Sequence, residues 1–301
     1  MPELPDVTIY IESLEAKLKG ERLETIRFAS PFLLRSVSPT LQDIEKKKVL
    51  GFRRIGKRIV FALGEELFIV LHLMIAGRLH WKDLGAKIPG KLGLAAFDFS
   101  NGSLLLTEAG TKKRASLHFV RGREGLKEFD RGGLEVLEAT PDEFRAALLR
   151  ENHTVKRTLT DPRLFGGIGN AYSDEILHRA KLSPLRQTKQ LTREETERLY
   201  VATRETLQEW IDRLRSEVAD GFPGKVTAFR KEMAVHGKFG QPCPVCGSKV
   251  QRIVYAENEC NYCARCQTNG KLLSDRSLAR LLKADWPKTI DELEAGGLRR
   301  F

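Results

Sequence analysis

A chain of 301 residues with 41% hydrophobic composition is long enough for two domains, or one large one, with real cores, which excludes a disordered protein. Its 51 Lys and Arg against 40 Asp and Glu leave a formal charge of +11 and point to a polyanionic partner, of which nucleic acid is the commonest. The longest apolar run, LFIVLHLMIAG (67–77), is too short for a membrane span and carries His72; MPELPDV has neither the basic nor the apolar region of a signal peptide, so the expected location is the cytoplasm, beside the nucleoid.

In chain order, the first stretch is MPELPD. Val7, Ile11, Leu14 and Leu18 fall on one helical face, Asp6 stands where an N-cap belongs, and Gly20 closes the segment. From Leu23 to Val120 the pattern changes to short apolar and alternating runs: LETIRFA, RIVFALG, LFIVLHLMIAGRLHW, AAFDFS, SLLLT and RASLHFV. Asn101-Gly102 between two of them is a hairpin signal, so this part reads as a β-sandwich carrying a helix. A loop rich in charge and glycine (121–133) then leads to helices. Thr140 to Glu143 is a capping box with Pro141 at the first helical position, and Thr192 to Glu195 is a second one opening a long helix. FGGIGN (165–170) is a turn between two helices that leaves a helix N-terminus exposed. Residues 221–240 form a Gly-rich connector, and the end of the chain holds one expected helix over 275–283.

All five cysteines lie between residues 243 and 266. Cys243-x-x-Cys246 and Cys263-x-x-Cys266, sixteen residues apart, have the spacing of two knuckles presenting four thiolates to one zinc ion. Four sulfurs leave no open coordination position, so this Zn2+ is structural. Cys260 also makes a C-x-x-C with Cys263 and is left as a spare thiol. Residues 225–301 carry 14 basic and 8 acidic side chains, so a positive field surrounds this end of the chain.

Removal of Met1 would make Pro2 the N-terminus, and Pro2 would then be a secondary amine able to attack an aldehyde-like carbon and give an iminium. A helix start nearby lowers the amine pKa from about 8, and Glu3 is placed to act as general acid and base. The competing reading is a stiffened chain end with a solvated acid.

MPELPD before a helix, RRIGK (53–57), LHLMIAGRL (71–79), GGIGNAYSDEIL (166–177) and the paired cysteines, in that order over residues 1 to about 267, together resemble the formamidopyrimidine-DNA glycosylase and endonuclease VIII family. The resemblance implies an α+β fold: an N-terminal β-sandwich with a helix at the N-terminus (1–130), a helix-two-turn-helix domain (131–235) and a C-terminal zinc β-hairpin (236–268), with an extension of unassigned role (269–301). It implies a bifunctional DNA glycosylase and abasic-site lyase of base excision repair, with Pro2 as nucleophile, Glu3 as acid and base, and Lys57 holding a phosphate and supporting catalysis. Lys156, Asn170 and Tyr172 match phosphate contacts, and Glu175 matches a glutamate near the pocket. The implied partner is damaged double-stranded DNA, with the damaged nucleotide flipped out of the stack; no membrane is expected, and a monomer is expected because no repeating apolar stripe advertises an interface.

Three departures stand out. The zinc-hairpin arginine of the family is Asn258 here, flanked by Glu257 and Glu259, so either another basic residue such as Arg252 or Lys249 takes over or the hairpin grips DNA weakly. The wedge segment is EAGTKKRAS (108–116), with Lys112, Lys113 and Arg114 but no aromatic, and the intercalating Met is shifted to Met74 or replaced by Ile75. The loop 219–229 is short for a lesion cover. Leu4 favours the formamidopyrimidine branch. The alternatives are the same chemistry on oxidised pyrimidines or abasic sites in single-stranded DNA, and a non-catalytic damaged-DNA-binding protein.

Overall fold

The computed structural model describes every residue except 220, 225, 256, 257, 275–279, 281–286 and 296–301. The chain divides into two compact units, Met1–Gly133 with Gln208–Ala228, and Leu134–Leu207 with Phe229–Phe301.

In the first unit, helix α1 (Leu4–Leu18) starts three residues before the expected point. Pro5 has no amide to satisfy, so it is accommodated in the first turn, and Glu3, rather than Asp6, is the N-cap. Asp6 is the third helical residue of a reciprocal capping box, its carboxylate accepting the Glu3 amide at 3.0 Å. Beyond α1 come β1 (Leu23–Phe28), a short helix α2 (Leu41–Ile44), β2 (Val49–Ile55), β3 (Arg58–Leu63), β4 (Leu67–His72), β5 (Gly77–Lys82), β6 (Gly93–Phe99), β7 (Gly102–Glu108) and β8 (Ser116–Arg121). They form two four-stranded antiparallel sheets, ordered β1-β6-β7-β5 and β2-β3-β4-β8. Phe61 of one sheet stacks on Phe97 of the other with ring centroids 6.0 Å apart, and Val7, Tyr10, Leu14 and Leu18 of α1 close the same core.

Two strand expectations change. The single run 67–81 is two strands in different sheets, because a turn at Leu73–Gly77 reverses it. A Cβ on Gly77 would lie 2.3 Å from the Leu73 carbonyl oxygen, so only glycine fits there. The hairpin β6–β7 turns at Ser100-Asn101 rather than Asn101-Gly102: Gly102 already pairs with Phe99, and a Cβ on it would meet the Trp81 ring at 2.3 Å.

The second unit holds α3 (Pro141–Leu149), α4 (Val155–Thr160), α5 (Asn170–Arg179) and the first half of α6 (Arg193–Val218). Thr140 and Thr192 cap α3 and α6 as the two boxes predict, and Thr154 caps α4. The turn before α5 differs from expectation: residues 165–169 are buried, and Asn170 alone reaches partly to the surface. The cysteine segment forms the hairpin β9 (Gln251–Tyr255) and β10 (Asn258–Tyr262), followed by α7 (Ala264–Thr268). Apart from Arg280, the expected helix over 275–283 lies outside the described residues; a further helix, α8, spans Ile290–Ala295.

Candidate active site and nucleic-acid interface

The start of α1 gathers charge in the first unit. Pro2 and Glu3 are buried, Glu3 being 2% exposed. Burial pulls the N-terminal amine, here on Met1, below its ordinary pKa of 8.0; Glu3 and Asp6 oppose this shift, and Arg78 and Lys57 reinforce it. Lys57 occupies the tight turn between β2 and β3, where Gly56 takes the left-handed conformation (φ +58°). Burial lowers the pKa of its ammonium as well, with Glu3 as the opposing charge. Amine, carboxylate and lysine thus form one electrostatic group, held by a helix cap and a hairpin turn. Its two bases are more readily deprotonated than in water.

Two residues of this group were missed from the sequence. His72, at the end of β4, pairs across the ladder with Arg58, next to Lys57. Burial, with Arg58 and Lys57, pushes its pKa down to about 4, so it is neutral at physiological pH. The legible signal was a lone histidine ending an otherwise apolar strand beside RRIGK. Arg78 of β5 donates to the Gly77 carbonyl at 2.6 Å and to the Val226 carbonyl, which ties the backbone at Val226 to the same place.

The wedge candidates lie side by side. Met74 takes the left-handed conformation (φ +51°), and its sulfur sits 2.6 Å from His72 Nδ1. Ile75, 52% exposed, stands at the tip of the turn, so it rather than Met74 is the outward apolar residue. Gly77 pairs with Glu108, which brings this turn beside the loop carrying Lys112, Lys113 and Arg114. The buried Glu108 carboxylate accepts the amides of Arg114 and Ala115 at 2.9 and 3.1 Å, and Lys113 Nζ donates to the Glu108 carbonyl. The side chains of Lys112 and Arg114 remain at the surface.

In the second unit, Lys156 is half-buried and Tyr172 is buried. Lys156 Nζ donates to Asn170 O at 3.0 Å, Ser173 Oγ at 2.8 Å and Asp174 Oδ1 at 2.6 Å, which engages all three donors of an ammonium. Tyr172 is 1% exposed and belongs to the core. Glu175 accepts the amides of Ala234, Val235 and His236 at 2.8, 2.9 and 2.9 Å, so its carboxylate shapes the connector. Burial raises its pKa against the pull of those amides. Its neighbour Asp174, missed in the sequence, joins Lys156 to His236 Nδ1 (2.8 Å) and the Asn261 amide (3.2 Å). Two adjacent acids on a helix with a buried face were the available clue. Asn170 Nδ2 donates to Glu259 O at 2.9 Å, which fixes β10 to the start of α5.

On the hairpin, Asn258 pairs with Tyr255, and Glu257 lies outside the described residues. Arg252 lies over the Phe239 ring at 4.3 Å and 3.4 Å from Glu259, partly exposed.

The Sγ atoms of Cys243, Cys246, Cys263 and Cys266 all lie within 4.8 Å of one another. A tetrahedral zinc with bonds of about 2.3 Å needs sulfurs about 3.8 Å apart, and Cys243 to Cys266 measures 3.9 Å. The donor set therefore fits one structural Zn2+. Cys260 stands outside it, buried beside Asp174. His178 Nε2 is 3.3 Å from Cys243 Sγ and supports that ligand.

The chain is thus a zinc-binding α+β protein with an amine and a carboxylate at a buried helix start, a helical unit and a four-cysteine hairpin. Residues 1–168 match the formamidopyrimidine-DNA glycosylase N-terminal domain, residues 135–220 its H2TH domain, and residues 240–269 the zinc finger found in FPG and IleRS. The formamidopyrimidine-DNA glycosylase of Pelotomaculum thermopropionicum is 33% identical over 277 residues, covering 89% of this chain and 99% of its own. The crystal structure of Lactococcus lactis Fpg with abasic-site DNA superposes with a TM-score of 0.78 at 27% identity, covering 88% of this chain and 99% of that one. That of a point mutant of the same L. lactis protein with Fapy-dG DNA gives 0.78 at 27%, covering 89% and 100%. The chain belongs to the formamidopyrimidine-DNA glycosylase family. It is a DNA glycosylase of base excision repair with one structural zinc. No helix among the described residues is long and apolar enough to cross a membrane.

Proposed function

We propose that the chain is a bifunctional glycosylase and abasic-site lyase that excises oxidised bases from double-stranded DNA through an imine on Pro2, followed by β,δ-elimination. The observation that carries this reading is the grouping of N-terminal amine, Glu3 and Lys57, in which burial holds both bases below their ordinary pKa values. Removal of Met1 would pass the amine to Pro2. The lone pair of that amine attacks C1′ and the C1′–base bond breaks, the departing base taking up the proton that the amine nitrogen loses. Glu3 then gives a proton to O4′ as the C1′–O4′ bond opens, and the nitrogen lone pair forms the iminium at C1′. The iminium withdraws electrons so that the C2′ proton is lost and the C3′–O bond cleaves, and loss of the C4′ proton from the conjugated product then expels the 5′ phosphate. Zinc takes no part in these steps.

The L. lactis relatives were crystallised on abasic-site and Fapy-dG DNA, which supports oxidised purines as substrates. Use of single-stranded DNA is a second reading. It draws on the cationic loop at Lys112 to Arg114, which offers no aromatic to fill the hole of a flipped base. A monomer and a place beside the nucleoid fit both readings.

The test is borohydride trapping on an abasic-site oligonucleotide, with the intact N-terminal mass measured and a Pro2→Gly variant run alongside. A covalent adduct that requires Pro2 and the absence of Met1 is expected. No adduct from protein that lacks Met1 would leave only DNA binding.

A further inference from the structure

The end of the chain, from residue 270, lies beyond the family match, which ends at residue 269. Its described parts return to the zinc hairpin. The Leu272 amide donates to Lys288 O at 2.9 Å and the Ile290 amide to Gly270 O at 2.8 Å, so two separate stretches of the extension pair with each other next to α7. Leu272 and Ile290 are buried in one apolar cluster with Ile253 and Cys260 of the hairpin, Tyr262 and Ala264. The Leu273 amide donates to Tyr262 Oη at 2.7 Å. On the outside, Arg265 forms ion pairs with Asp291 at 2.5 Å and Glu294 at 3.4 Å, both on α8.

These contacts concentrate on the second zinc knuckle. Tyr262 directly precedes Cys263, and Ala264 and Arg265 lie between Cys263 and Cys266. A two-stranded hairpin cannot bury both its faces, and two knuckles by themselves leave the apolar side of Ile253 and Tyr262 open to water. Here the extension covers that side. The ion pairs at Arg265 are half exposed and add little individually, so burial of Ile290 and Leu272 carries most of the stabilisation.

We propose that the two stretches 270–274 and 287–295 are a clasp for the zinc module: they close the apolar face behind Cys263 and Cys266 and slow the opening through which the ion leaves. The hairpin, and with it the Glu259 carbonyl that Asn170 holds, is thereby kept in place.

The test uses the full-length, zinc-loaded protein challenged with excess of the chromogenic chelator 4-(2-pyridylazo)resorcinol. Zinc release is followed alongside amide hydrogen exchange of residues 262–266. Ile290→Asp should release zinc roughly tenfold faster or more, with lost protection at 262–266. The paired surface change Asp291→Ala with Glu294→Ala should act in the same direction and more weakly. Phe144→Leu, in the core of the helical unit, serves as a control for general loosening. Should Ile290→Asp be insoluble, the paired surface variant and a chain stopped after Asn269 decide the question. Wild-type release rates in the clasp variants would overturn the proposal, as would equal acceleration by Phe144→Leu. The outcome is independent of the chemistry at Pro2, because no DNA enters the experiment.

Discussion

At the scale of single residues, the start of α1 combines two jobs in one side chain. Glu3 caps the helix and also faces the amine, so Glu3→Gln keeps the shape and removes the carboxylate to which the proposed mechanism assigns the proton transfer. Base excision should fall by about 10²- to 10⁴-fold while trapping on a preformed abasic site persists, as single-turnover assays on the two substrates would show. Arg78 acts on the same amine by charge. Its guanidinium disfavours the ammonium form, so Arg78→Gln should raise the amine pKa and move the acid limb of the trapping rate to higher pH. An unmoved pH profile would remove Arg78 from the site. His72 gives a stability signature with a defined sign. Its folded pKa of about 4 lies below the unfolded value of 6.5, so the unfolded chain binds the extra proton between these values. Stability contributed by neutral His72 is intact above pH 6.5 and is lost as the pH falls towards 4. In thermal melts, His72→Gln should therefore lose less stability than the wild type on going from about pH 7 to about pH 5.

At the scale of elements, buried carboxylates organise the segments that lack regular structure. Glu108 folds the cationic loop and Glu175 folds the connector, each by accepting backbone amides. Glu175→Ala would leave three amides without their acceptor, at roughly 1–3 kcal/mol for each that stays buried, which a drop in the denaturant midpoint would register. This also explains what was legible beforehand. Capping boxes at Thr140 and Thr192, the apolar face of α1 and the cysteine spacing are local patterns, so α3, α6, α1 and the metal ligands could be read directly. The split of 67–81 depends on a contact between Gly77 and the Leu73 carbonyl, and the true turn at Ser100-Asn101 depends on Trp81 lying over Gly102. Neither is encoded in periodicity. The partners of Lys156 lie 14 to 18 residues further along the chain, so no local pattern in VKRT shows that its ammonium bonds to Asn170, Ser173 and Asp174.

At the scale of the whole molecule, the +11 charge is an affinity term for DNA only where cations can reach phosphate. Each phosphate neutralised releases counterions and adds about 0.9 to the slope of log affinity against log salt, so the slope counts engaged cations. Lys156 has its three donors bound inside the protein and pairs with Asp174. Lys112 and Arg114 are at the surface, and Arg252 is held outward by the Phe239 ring and Glu259. Binding of a duplex carrying an abasic-site analogue, measured by fluorescence anisotropy from about 50 to 200 mM salt, should separate the two kinds of cation. Lys112→Ala, Arg114→Ala and Arg252→Ala should each flatten the slope by up to about one unit. Lys156→Ala should weaken binding through loss of the α4–α5 strut while leaving the slope unchanged. The reverse pattern, a flattened slope for Lys156→Ala and none for Lys112→Ala or Arg252→Ala, would mean that Lys156 exchanges Asp174 for a phosphate on binding. The buried strut would then be a feature of the DNA-free protein alone.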